Sequence, residues 1–244
     1  MRKVFALVAA AAVACSLGVA AARAVVGGTP DNGAHPYVVL LKIAQQDGSF
    51  LRCSGVLVNG TKVITAAHCL ESTTGAIGVF FGDGPITTQP PDATATSFVI
   101  EPGYVGLDTK NADTHDLAVI TIAPGYTPPV RPTIAPVGYT DPLPKKYPFT
   151  VVGYGLQSVR PQVAERTRYQ ATSDLKNPRD PFVLRVTNNA GGACFGDSGG
   201  PVLDGDVVVA ILSTTQNKNC TSSSNGYRLD TAESRAFLAA NGAL

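Results

Sequence analysis

Gly196-Asp197-Ser198-Gly199-Gly200-Pro201 is the stretch whose residue types could do chemistry. A serine hydroxyl is a weak nucleophile at neutral pH. It needs a neighbouring base and somewhere to put the charge that its attack creates. Glycines on both sides of Ser198 remove Cβ atoms, so the backbone can turn tightly and approach closely. Such a loop can aim N–H groups at an oxyanion, and losing one donor typically costs about 100- to 1000-fold in rate. The same residue types also suit an ordinary surface turn. What decides between the two is whether the chain supplies a base. The candidates are His35, His68 and His115, and all three precede Ser198.

That order excludes one hydrolase architecture. Gly196-x-Ser198-x-Gly200 satisfies the nucleophile elbow of α/β-hydrolases, but there the acid and the histidine follow the serine along the chain. No histidine follows Ser198.

The elements that must hold these groups are short strands. Residues 37–43, 51–58, 62–65, 77–81, 97–100 and 117–122 are β-branched runs in the first half; 149–153, 182–187 and 207–213 repeat the style in the second. Asn59-Gly60 marks a two-residue hairpin between the second and third of these runs, and Asp204-Gly205 offers a tight turn after the serine loop. Residues 123–136 are rich in proline and read as a linker between halves rather than a core element. Many short strands at this spacing predict sandwiches or barrels. Near the end, Asp230-Thr231-Ala232-Glu233 is close to a capping box, with Asp230 as the cap. It opens a helix whose Ala232, Ala236, Phe237 and Ala240 form a packing stripe.

Residues 1–24 stand apart from the fold. Arg2 and Lys3 form a positive start, residues 4–14 an apolar run too short to span a bilayer, and Ala22-Arg23-Ala24 a cleavage site. This is the pattern of a secretory signal peptide, and it predicts a secreted, extracellular protein. The remaining 220 residues carry 16 basic against 18 acidic side chains. No basic cluster suggests nucleic acid or anionic lipid, and no later run is long and apolar enough for a membrane span. Cys53, Cys69, Cys194 and Cys220 remain, which in an oxidising compartment allows three pairings into two disulfides. Their spacing does not suit zinc.

Thr65-Ala66-Ala67-His68-Cys69, preceded by Cys53-Ser54-Gly55-Val56-Leu57-Val58, resembles the histidine motif of chymotrypsin/trypsin-like serine peptidases. Asp116-Leu117-Ala118-Val119-Ile120, 48 residues after His68, looks like the family's aspartate and following strand; Asp113 is the runner-up. Val151-Val152-Gly153-Tyr154-Gly155 is similar to a family segment that usually carries Trp at the Tyr154 position, and the Ser198 hexapeptide resembles the nucleophile loop. The resemblance runs from Val25 to about Leu238. It implies an all-β fold of two antiparallel six-stranded β-barrels with a C-terminal α-helix: a first barrel over about 25–122 and a second barrel with the helix over about 137–244.

The resemblance also implies roles. Ser198 is the nucleophile, His68 the general base and then acid, and Asp116 the buried carboxylate that orients the imidazole. The N–H groups of Gly196 and Ser198 form the oxyanion hole. The family's cysteine positions pair Cys53 with Cys69, and a Cys194–Cys220 bridge would tie two pocket walls, each worth about 3 kcal/mol by chain-entropy reasoning. With only these two disulfides, the chain looks like a bacterial-type member. Val25-Val26-Gly27-Gly28 resembles the family's mature amino terminus, so signal cleavage after Ala24 would free the Val25 ammonium to pair with Asp197.

The substrate pocket falls on Gly192, Ala193, Phe195, Ser213, Thr214, Thr215 and Gly226. Gly192 stands where trypsin-like members carry a floor aspartate, Leu212 where glutamate-specific members carry histidine, and Thr215 where a glycine would open the mouth. These predict cleavage after small or medium apolar residues, unless a charge such as Asp230 reaches the pocket. An extended peptide or protein substrate would pair along Ser213-Thr214-Thr215. Gly226-Tyr227-Arg228-Leu229 departs from the usual Gly-Val-Tyr-Thr and leaves the back wall open to question. No cofactor is expected, and no metal, since the calcium loop near Asp83 lacks a carboxylate pair. The partners implied are substrates and protein inhibitors of a monomer; the competing readings are a catalytically dead binding protein and an esterase on the same fold.

Overall fold

The structure is a computed structural model, and it describes residues 25–82, 89–107, 114–159, 162–163, 167–177, 180–188 and 191–244. The signal segment, Asp83 and Asp113 lie outside the described residues. A short entry strand β1 (Thr29–Pro30) is followed by β2 (Val38–Gln45), β3 (Phe50–Leu57), β4 (Lys62–Thr65), β5 (Thr73–Phe80), β6 (Ala93–Ile100) and β7 (Ala118–Ala123). Strands β2 to β7 form a closed barrel in the order β2-β3-β4-β7-β6-β5. The Asn59-Gly60 turn joins β3 to β4 as expected, with Gly60 at φ +86° and Asn59 Oδ1 accepting the Lys62 N–H at 3.1 Å. β2 is buried over its first four residues rather than at alternate ones, because it faces the second half as well as its own barrel.

The second half comprises β8 (Thr133–Ile134), β9 (Pro148–Gly153), β10 (Ser158–Val159), β11 (Gln162–Val163), β12 (Tyr169–Asp174), β13 (Val183–Thr187), β14 (Pro201–Asp204), β15 (Val207–Thr215), β16 (Ser223–Arg228) and the helix α1 (Ala232–Ala240). Its main sheet runs β1-β12-β9-β14-β15-β16-β13. Where a second barrel was expected, β12 and β13 share no strand ladder and meet through the isolated Leu175–Val186 bridge and a 3.2 Å bond from Asp174 N–H to Thr187 Oγ1, so this half is a half-barrel beside the closed first one. The prolines of the presumed linker do not keep it out of the core. Thr133 and Ile134 pair in parallel with Val207 and Val208, and Ala135 is fully buried.

One apolar cluster joins the halves: Tyr37, Val38 and Leu40 of the first pack with Val152, Tyr154, Ile211 and Leu238 of the second. Polar locks accompany it. Tyr37 Oη donates to Asp206 Oδ1 at 2.9 Å, and buried Arg168 donates to Val38 O at 3.0 Å and Asp31 Oδ2 at 2.7 Å.

The helix corrects two expectations. Its N-cap is Thr231, whose Oγ1 accepts the Ser234 N–H at 3.1 Å. Asp230 is withdrawn from capping because Arg228 Nε and Thr140 Oγ1 both donate to it at 2.8 Å. The buried helical residues are Ser234, Phe237 and Leu238, so of the predicted stripe only Phe237 packs inward.

Candidate active site

The barrel register brings His68 and Asp116 together. β4 pairs antiparallel with β7 through Thr65 opposite Ala118, so residues just after β4 and just before β7 leave the sheet at the same end. His68 sits on a single 3-10 turn, Ala67–Leu70, directly after β4. Its backbone N–H donates to Asp116 Oδ1 and its Nδ1 lies against Asp116 Oδ2, both at 2.9 Å. Ser213 Oγ donates to the same Oδ2 at 2.5 Å. Burial pushes the Asp116 carboxyl up, but the hydrogen bond and charge of His68, with Ser213 and the His68 amide, outweigh it and hold the group below its usual range. An ionised Asp116 selects the Nδ1–H tautomer and leaves Nε2 as the basic nitrogen.

Ser198 arrives from the other half, and Ser54 of β3 holds its loop. Ser54 N–H donates to Ser198 O at 2.7 Å, Ser54 Oγ donates to Gly196 O at 2.9 Å, and Ser54 Oγ accepts the Tyr154 N–H at 3.0 Å. Gly199 is required where the two halves touch: at φ +82°, a Cβ would lie 2.1 Å from Thr65 Oγ1 and 2.3 Å from Ser54 O. Gly196 also has a left-handed φ of +98°. Among the described residues, the N–H groups of Gly196 and Ser198 donate to no protein acceptor. They are available to an oxyanion. The expected bond from Ser198 Oγ to His68 is not made; that hydroxyl instead points at Ser213 O, 3.5 Å away. Such bonds are often long in the free enzyme and tighten with substrate.

Asp197 is fully buried. Its Oδ1 accepts the Gly155 N–H at 2.7 Å and its Oδ2 the Cys194 N–H at 2.8 Å. Burial pushes its carboxyl up to about 7, against those two N–H groups and the charge of Arg52. Arg52 lies over the loop, its Cδ 3.3 Å from where a Gly196 Cβ would be. Val25 is fully buried in the second half's core, and Val26 O accepts the Gly192 N–H at 2.9 Å. The candidate amino terminus thus runs beside the segment leading to Asp197.

Both expected disulfides are present, Cys53–Cys69 and Cys194–Cys220. Of the expected pocket positions, Ser213, Thr214 and Thr215 are half-buried at the end of β15, and Phe195 is 51% exposed. Ala193, Leu212 and Ser224 are buried. Gly226 serves sheet packing, since a Cβ there would meet Ala210 Cβ at 3.0 Å and Val202 Cγ2 at 3.4 Å. Arg228, at the departure from the family pattern, turns toward Asp230 and Asp141, with Nη2 2.7 Å from Asp141 Oδ1. This pairing occupies Asp230, the charge that could have reached the pocket. His115, the third histidine, lies among acidic side chains, its Nδ1 2.9 Å from buried Glu101 Oε2 and 3.6 Å from Glu233 Oε1. The pairing ties the Asp116 segment to β6 and the helix.

Sequence reasoning missed the loop supports Ser54 and Arg52. A serine at the start of the apolar run Ser54-Gly55-Val56-Leu57 was the available signal for the first. Nothing local marks the second.

The trypsin family profile matches residues 25–233. The chain is 29% identical over 196 residues to mouse serine protease 56, covering 74% of this chain and 31% of that protein. It is 30% identical over 209 residues to rat vitamin K-dependent protein C, covering 74% of this chain and 42% of that protein. Drosophila erecta trypsin delta is 27% identical over 94% of this chain and 96% of its own. The chain thus spans between about a third and a half of the first relatives it matches. These relatives are animal proteins and lend no support to a bacterial type. Among solved structures, HL collagenase superposes with a TM-score of 0.71 at 18% identity, over 89% of this chain and 98% of that one. Human heparin binding protein gives 0.70 at 18%, over 88% and 96%. At such identities the likeness concerns the fold, which is chymotrypsin-like. With the profile covering most of its length, the chain belongs to the trypsin family of serine proteases.

Proposed function

We propose that this chain is a secreted serine endopeptidase acting through an acyl-enzyme. Ser198 Oγ attacks the peptide carbonyl carbon while its proton passes to His68 Nε2. The oxyanion is received by the N–H groups of Gly196 and Ser198. Collapse breaks the C–N bond, and the leaving amine takes the proton from His68. Water then hydrolyses the ester by the same route in reverse. The observation that carries this reading is the buried Asp116, bonded to both the backbone and Nδ1 of His68 at 2.9 Å. That geometry fixes the imidazole's tautomer at the cleft where a glycine-bound serine loop docks.

Secretion follows from the signal-peptide pattern of residues 1–24, and the relatives' family supports protein substrates and protein inhibitors. Cleavage after small or medium apolar residues follows from an uncharged pocket floor, because a buried, unpaired Arg or Lys would be costly. One structural neighbour is named for binding heparin, so a binding protein without turnover is the alternative. Incubating the mature protein and its His68→Ala variant with a mixed peptide library separates them. The account expects cuts after Ala, Val or Leu that vanish in the variant; no cuts by the mature protein would favour the binding reading.

A further inference from the structure

Gly192, the expected pocket floor, is not an open space. A side chain built there would meet Asn188 Cγ and Oδ1, each at 2.2 Å. The carboxamide of Asn188 occupies the volume that a floor side chain would take. Asn188 is 5% exposed, and its bonds tie it to both walls. Nδ2 lies 3.2 Å from Ala193 O, 3.1 Å from Cys220 O and 3.0 Å from Ser224 Oγ. Ser224 Oγ also donates toward Asn188 Oδ1 at 3.2 Å or Ala193 O at 3.3 Å. The backbone is anchored too, with Asn188 N–H donating to Ser222 O at 3.2 Å.

We propose that Asn188 sets the depth and polarity of the substrate pocket, making it the specificity-determining residue for the side chain preceding the cleaved bond. The inference rests on the peptidase reading above and narrows it. Both Nδ2 hydrogens are spent on the walls, so the floor offers a substrate neither charge nor a spare donor. A long side chain could enter only by expelling the amide, taking from Cys220 O and Ala193 O the Nδ2 donor and leaving Ala193 O with Ser224 Oγ alone. A short one, Ala or Val, stops above it. The mouth fits this division, since Ser213, Thr214 and Thr215 are partly exposed while Ala193, Leu212 and Ser224 are shut. A floor supplied from outside the pocket segments also explains why Gly192 carries no side chain.

The test compares peptides differing only at the residue before the cut: Ala, Val, Leu and Phe. Wild-type kcat/KM should fall from Ala to Phe. In Asn188→Ala the Phe-to-Ala ratio should rise about tenfold or more, the scale of a pocket change of one or more methylenes. Asn188→Ser, which keeps a donor for Ala193 O, should raise it by less. Ser224→Ala removes one anchor of the amide but leaves its volume in place, so it should raise the ratio by less than Asn188→Ala. A merely structural Asn188 would lower all four substrates together. Affinities of the same peptides for Ser198→Ala protein, carrying Asn188 or Asn188→Ser, read the ratio without turnover. If the peptidase reading fails, hydrolysis is absent while discrimination in affinity persists. Equal handling of Ala and Phe by wild-type protein, or an unchanged ratio in folded Asn188→Ala and Asn188→Ser, overturns the assignment.

Discussion

Adding one residue in front of Val25 should abolish the proposed peptidase activity, and the size of the effect follows from Asp197. That carboxyl is fully buried, and with only two backbone N–H groups and Arg52 to help it, burial pushes it from 3.8 up to about 7. Holding it ionised at neutral pH then costs on the order of 4 kcal/mol. A carboxyl raised in this way gives the folded state its greatest relative stability below 3.8, and that advantage is lost as pH rises through about 7. An ammonium on Val25 would supply the missing partner and keep Asp197 ionised, removing the loss. An extended chain cannot place its ammonium there, so the Gly196–Ser198 donors would not be held. If the whole penalty falls on the transition state, kcat/KM drops about 1000-fold. The assay compares protein beginning at Val25 with protein carrying one extra residue, by peptide hydrolysis at pH 8 and melting temperature from about pH 4 to 8. The extended form should lose most activity, and its melting temperature should fall relative to the mature form as pH rises. Equal activity with parallel melting curves would refute the pairing of Val25 with Asp197.

Ser213→Ala removes the 2.5 Å bond to Asp116, and kcat should fall about tenfold, the lower end for a hydrogen bond to a charged group. Because Asp116 is held below its usual range, it contributes stability above about pH 4 that is lost as pH falls. Circular dichroism should accordingly show Ser213→Ala unfolding at a higher pH on acidification than wild type. Gly199→Ala drives a Cβ to 2.3 Å from the Ser54 carbonyl at φ +82°. Denaturant titration should show a loss of about 3 kcal/mol, with activity abolished. Replacing Cys194 and Cys220 together by alanine opens a loop of sequence separation 26 and should lower stability by about 3 kcal/mol. The Phe-to-Ala substrate ratio should shift as well, because Asn188 bonds to Cys220 O.

The first barrel was legible because its strands are apolar runs separated by strong turns; the 62–65 run is β4 residue for residue. β12, β14 and β16 were not. Tyr169–Asp174 and Ser223–Arg228 carry polar residues that pair with neighbours across the sheet, and Pro201–Asp204 is hidden behind the glycines of the serine loop. The candidate site residues could be picked out because each sits in its own short motif, and the register of β4 on β7 brings two of them, His68 and Asp116, together. Their supports were not, since a contact such as Ser54 to Gly196 spans 142 residues. Asn188 shows the limit best. The pocket positions were proposed from motifs, whereas Asn188, the proposed floor, follows β13 with no motif around it.

The central claim is that Ser198 is a nucleophile activated by His68 and Asp116. Its most direct test is intact-mass measurement of the mature protein after exposure to a fluorophosphonate, with the adduct mapped by peptide sequencing. The account predicts one adduct per chain, on Ser198, absent from Ser198→Ala and strongly slowed in His68→Ala. Correctly processed, folded protein that takes up no phosphonate at Ser198 would contradict it.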